Sequence, residues 1–231
     1  MWLSIVRAMV SPRHLARTQE AGWRAAALPT GECAWVWAAG PYSGDLGEAI
    51  RRAKYGQDWV SVQTLRCHMK RVHHSGVWTL HPTLVPIPAD PKRLGRRGLH
   101  LPALLAQSLS RNRGLPLDRL GLLKHQTSDS LAQHRADPSA PLRARPHFEA
   151  NQRLQGCPVV LIDDVLTSGL TLEVAFGALR AVGAHPVGAV VLAHQRAAER
   201  SRTMMAPCTL PNPSAFMSFW SSLKFRRTRE M

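Results

Sequence analysis

Two adjacent carboxylates, Asp163 and Asp164, follow the apolar run Val159-Val160-Leu161-Ile162 and precede Val165-Leu166-Thr167-Ser168-Gly169-Leu170-Thr171. That order of residue types has chemical content. Four successive apolar residues make a strand of the kind covered on both faces in a parallel sheet, and the two acids end it. Leu172, Ala175, Phe176, Leu179 and Val182 then recur at helical spacing from Thr171 onward, Gly183 closes the helix, and residues 187–192 form a second apolar strand. In such a βαβ unit, ligands gather at the carboxyl end of the first strand and the N-terminus of the helix. There the backbone N–H groups of Thr167, Ser168, Gly169, Leu170 and Thr171 can converge on a phosphate dianion. Gly169 permits close approach, and the hydroxyls of Thr167, Ser168 and Thr171 add donors. Asp163 and Asp164 are poor phosphate ligands but good acceptors for the hydroxyls of a ribose.

Other elements must hold this unit in place. Asp45 reads as the N-cap of a helix with Glu48 three residues on, Leu46, Ala49, Ile50 and Ala53 forming its apolar face, and Gly56 ending it. Residues 83–88 are a short apolar run closed by prolines, a buried strand leading into a loop. Leucines at 101, 104, 105 and 109 predict a helix that Gly114 stops. Residues 124–148, rich in His, Ser, Pro and Arg, show no periodicity and read as a long flexible excursion. The organised part begins near Pro41, leaving 1–39 as an N-terminal extension, 40–195 as the ligand-binding domain and 196–231 as a basic, poorly ordered tail.

The thirteen residues 159–171 resemble the phosphoribosyl-pyrophosphate (PRPP) signature of type I phosphoribosyltransferases, with Leu170 in place of the commoner small residue. Three further segments are similar to the ComF (competence protein F-like) family within that superfamily. They are Pro41-Tyr42-Ser43-Gly44 with Ile50-Arg51-Arg52-Ala53-Lys54-Tyr55-Gly56, the strand Leu84-Val85-Pro86-Ile87-Pro88, and the basic loop containing Lys92-Arg93-Leu94 and Arg96-Arg97-Gly98. The resemblance covers roughly residues 40–195. It implies an α/β fold, with a parallel sheet flanked by helices and a small N-terminal hood. It also implies a phosphoribosyl ligand, Mg²⁺ entering with PRPP, Asp163 and Asp164 as catalytic residues, and Lys92, Arg93 and Arg97 as the pyrophosphate loop. The chain departs from the family at two places. Only Cys33 remains where a zinc ribbon often stands, so no zinc is expected, and Leu99-His100-Leu101 follows Arg97-Gly98 where the family has Phe-Asn-Gln.

Composition sets outer limits. The chain has 231 residues, 45% hydrophobic and 19% charged, and no uncharged apolar run long enough to span a bilayer. Arg7, Arg13 and Arg17 interrupt the apolar start before a signal-peptide core forms. Cysteines at 33, 67, 157 and 208 make no C-x-x-C pair, which argues against a zinc site or a disulfide framework and favours a reducing cytoplasm. His68, His73, His74 and His81 near Cys67 match no metal-ligand spacing. The net charge of +15 is spread along the chain and favours a polyanionic partner. Three functions stay open: a phosphoribosyltransferase, a non-catalytic protein assisting DNA uptake by binding single-stranded DNA, and a PRPP-sensing regulator. A second copy of the chain is a further candidate partner.

Overall fold

The computed structural model describes residues 21–56, 58–72, 76–90, 94–95, 98–125 and 146–195. The strands are β1 (Gly22–Ala27), β2 (Cys33–Pro41), β3 (Thr83–Pro86), β4 (Leu122–His125), β5 (His147–Ala150), β6 (Pro158–Ile162), β7 (Val165–Leu166) and β8 (His185–His194). The α-helices are α1 (Gly44–Tyr55), α2 (Trp59–His68), α3 (Leu101–Arg113) and α4 (Leu170–Ala181).

The main sheet has the order β1-β2-β8-β6-β3, with β7 also paired to β8. Every pairing in it is parallel except β1 with β2. Because side chains alternate across a strand, each central strand feeds two cores. Trp37, Leu84, Val160, Ile162, Val190 and Leu192 pack with α1, α2 and α3 on one face. Val36, Val85, Val159, Leu161, Ala189 and Val191 pack with α4 and the β4–β5 hairpin on the other. The chain is thus an α/β protein with a mostly parallel central sheet covered by helices, the fold class the sequence implies.

The sheet starts earlier in the chain than Pro41. The run Ala34-Trp35-Val36-Trp37-Ala38-Ala39 lies inside β2, where Val36, Trp37 and Ala38 are wholly buried and β2 pairs with the central strand β8. Residues 22–27 and 33–41 therefore belong to the main sheet. Helix α1 also starts one residue before Asp45. Its N-cap is Ser43, which makes no side-chain cap bond, and Glu48 is engaged by the guanidinium groups of Arg51 (2.8 Å) and Arg52 (3.0 Å) instead of closing a capping box.

Helix α2 has a signal the sequence reading passed over: the Asp58 carboxylate accepts from Val60 N–H (3.0 Å) and the Ser61 hydroxyl (2.6 Å). Helix α3 ends as expected, on Gly114 at φ 65. The excursion at 124–148 is ordered at both ends, where Leu122–His125 pairs antiparallel with His147–Ala150. Against the expectation of no disulfide, Cys33 is disulfide-bonded, while Cys67 and Cys157 are free. The tail 196–231 lies outside the described residues.

Candidate functional site

The site begins where β3 and β6 end side by side. Ile87 N–H donates to the Ile162 carbonyl at 2.8 Å, so the two parallel strands remain joined to their carboxyl ends. Asp163 prolongs the sheet by one bond, its N–H donating to the Val190 carbonyl at 3.0 Å. The Asp164 carbonyl accepts from Leu192 N–H (3.1 Å) and Ala193 N–H (3.2 Å), and its own N–H donates to Asp163 Oδ1 (2.8 Å). The backbone of both acids is therefore pinned to β8. The chain then forms β7 alongside Ala193 and His194, where a simple loop was expected, and turns through Thr167 and Ser168 into α4.

Gly169 makes that turn. It caps α4 at φ 80, a left-handed conformation that residues with a β-carbon adopt only with strain. The helix follows at Leu170, and its first four N–H groups have no carbonyl within the helix to meet. Thr167 and Ser168 are exposed, Leu170 and Thr171 half-buried. Geometry of this kind can bind an anion at the helix N-terminus.

Asp163, Asp164 and Thr171 line a common cavity of about 280 Å³ with Lys54, Tyr55, Ile87, Pro88, Asp90, His100 and Lys124. Of the phosphate-loop residues named from the sequence, Thr171 faces this space. Thr167, Ser168, Gly169 and Leu170 stand beside it on the turn and first helical position. Lys92, Arg93 and Arg97 lie outside the described residues, though Asp90 and Leu94, which flank Lys92 and Arg93, line the cavity.

Charge is arranged unevenly across the acidic pair. Lys54 Nζ lies 2.7 Å from Asp164 Oδ1, with both side chains mostly covered. Withdrawal from water, reinforced by the neighbouring Asp164 carboxylate, pushes the Asp163 carboxyl up to about 8, and the attraction of Lys54 and Lys124 opposes this only in part. His100 is held below the usual imidazole range by burial; its ring donates from Nε2 to the Ile87 carbonyl at 2.9 Å. His100 stands where the resemblance implies a polar side chain, and it makes a polar contact of its own.

Lys54, Tyr55, Asp90, His100 and Lys124 were not among the site residues read from the sequence. Lys54 and Tyr55 did stand in a quoted motif, Lys54-Tyr55-Gly56, but nothing in their spacing said that the end of α1 faces the acids. Lys124 carries no local signal, since its place depends on the β4–β5 pairing.

Residues 94–212 match the phosphoribosyl transferase domain family, and the chain belongs to it. The chain is 28% identical over 135 residues to competence protein ComFC of Bacillus subtilis (strain 168), a match that takes in 58% of this chain and 53% of that protein. It thus spans about half the length of that relative. Similar solved structures include the purine phosphoribosyltransferase of Pyrococcus horikoshii Ot3, with 18% identity and TM-score 0.36 over 62% of this chain and 80% of that one. The adenine phosphoribosyltransferase of Leishmania donovani shows 11% identity and TM-score 0.37 over 79% and 95%. Among the described residues no helix is long and apolar enough to cross a membrane.

Proposed function

We propose that the cavity between the ends of β3 and β6 binds PRPP, or a related phosphoribosyl ligand, and that the chain transfers the phosphoribosyl group to a nitrogen acceptor. The observation that carries this reading is the convergence of Asp163, Asp164 and Thr171 on one cavity beside the Gly169 turn. A 5-phosphate at the start of α4 would meet the helix N–H groups and the Thr167, Ser168 and Thr171 hydroxyls, with Gly169 and Leu170 supplying close backbone. Ribose hydroxyls would then face Asp163 and Asp164. Lys92, Arg93 and Arg97 belong to the segment expected to meet pyrophosphate.

The donor set suits a hard cation carried in by the ligand: Asp90, Asp163 and Asp164 are among the residues that line the space. Asp163 and Asp164 would hold Mg²⁺ through its waters, and the cation would supply charge neutralisation of the pyrophosphate. In the transfer, the bond from the anomeric carbon to pyrophosphate oxygen breaks and its electron pair leaves with pyrophosphate. A carbon–nitrogen bond forms, and the acceptor's proton passes to solvent. Asp163 and Asp164 would orient the ribose and offset positive charge growing on the ring.

A second reading has its own support. The relative in Bacillus subtilis is named for competence, and the charge of +15 suits a nucleic acid. In that reading the cavity is not catalytic and the basic residues of the chain bind single-stranded DNA; a regulator that senses PRPP without turning it over is the third reading. A pyrophosphate-release assay with Mg²⁺-PRPP and a panel of nitrogenous bases separates the transferase from the other two. Release that depends on both an added base and Asp163 supports the transferase. Binding without release under every base points to the sensor.

A further inference from the structure

Lys54 is the second-last residue of α1 and lies outside the stretch that matches the family, which begins at 94. Its ammonium nevertheless touches the acidic pair. The Nζ to Asp164 Oδ1 distance is 2.7 Å, and the two side chains are 15% and 16% exposed, so the contact is largely shielded from water. A shielded ion pair recovers little net stability, because desolvating both ions offsets most of their attraction. Stability alone is thus a weak account of why a lysine sits here.

The geometry gives it a second task. The main chain of Asp164 is fixed by the N–H groups of Leu192 and Ala193 on its carbonyl, and by its own N–H on Asp163 Oδ1. What remains free to turn is the carboxylate, and Lys54 fixes that through Oδ1. Electrostatics points the same way. Among the described residues lining the cavity, Asp90 and Asp164 are carboxylates, while Asp163 keeps its proton up to about 8; two lysines, Lys54 and Lys124, face them. A ligand with several phosphate charges entering such a space is repelled by the carboxylates unless cations stand beside them.

We infer that Lys54 is a positioning residue of the ligand site: it acts through Asp164, aiming that carboxylate's second oxygen at a sugar hydroxyl and balancing its charge so that a phosphorylated sugar can enter. The inference rests on the phosphoribosyl reading of the cavity. It brings the end of α1 into the site as a wall facing the β6–α4 turn.

The test is a double-mutant cycle on ligand affinity. Mg²⁺-PRPP is titrated calorimetrically into the native chain, Lys54→Met, Asp164→Asn and the double variant, with Lys54→Arg as the conservative change and unliganded thermal unfolding recorded for all five. A charge-assisted contact removed from a site costs about tenfold or more in affinity, so Lys54→Met and Asp164→Asn should each weaken binding by that order. The double variant should bind no more weakly than the worse single one, and Lys54→Arg should bind within a few-fold of native. Native-like affinity in Lys54→Met overturns the inference while leaving the phosphoribosyl reading intact. So do two losses that multiply in the double variant, or a loss across the set that tracks the melting temperature. Failure of the native chain to bind PRPP overturns both together.

Discussion

Asp163 Oδ1 accepts the backbone N–H of Asp164 at 2.8 Å, so the first acid of the pair is partly used in shaping the turn that presents the second. The two carboxylates are neighbours in sequence yet differ in surroundings. Asp164 faces Lys54, while Asp163 is withdrawn from water beside a like charge. Their roles toward a ribose need not be equal, and their substitutions should be distinguishable.

The first consequence concerns pH. An unfolded Asp carboxyl releases its proton near 4, whereas the folded Asp163 retains it until about 8. Between those limits the folded state binds more protons than the unfolded, so each rise in pH favours unfolding. The contribution of Asp163 is fully present below about 4 and is lost as pH climbs through about 8. Asp163→Asn keeps an oxygen for the Asp164 N–H and removes the titration. In Mg²⁺-free buffer its urea midpoint should exceed the native one by more at pH 9 than at pH 5. Equal midpoints at both values would contradict the placement of this carboxyl.

The second concerns the turn into α4. At φ 80, Gly169→Ala places a β-carbon in left-handed backbone and should cost about 1–2 kcal/mol of stability, read by denaturant unfolding. The same change tilts the N–H groups that would hold a 5-phosphate. Affinity for ribose 5-phosphate should therefore fall more than the stability change accounts for.

A third tests the sheet that carries the site. A β-carbon on Gly188 would lie 2.9 Å from the carbonyl oxygen of Trp35, backbone against backbone between β8 and β2. Gly188→Ala should destabilise by about 1–3 kcal/mol through forced separation of these strands. Leu161→Ala, in the wholly buried middle of β6, should cost about 2–5 kcal/mol by cavity formation. Both are measured by urea titration, and a cost near zero at Gly188 would refute the close β2–β8 packing.

Much of the centre was legible in the sequence because its signals are local. The β6 run, the acids after it, Gly169 and the apolar face of α4 are contiguous, and Gly114 and Gly183 mark helix ends through their own backbone preference. What escaped depends on distant pairing. Residues 34–39 look like any apolar stretch until β8 is beside them, and the β4–β5 hairpin joins segments separated by more than twenty residues of polar chain. Lys54 reaches the site only through the fold, across more than a hundred positions of sequence. The Asp45–Glu48 pattern failed for a different reason: Arg51 and Arg52 compete for the same carboxylate.

The central claim is that Asp163 and Asp164 face a phosphoribosyl ligand. It is tested most directly by calorimetric titration of Mg²⁺-PRPP into the native chain and into an Asp163→Asn, Asp164→Asn double variant that unfolds cooperatively. The account expects saturable, Mg²⁺-dependent binding by the native chain and its loss in the variant. A folded native chain that binds no PRPP, or a variant that binds it equally well, would contradict it.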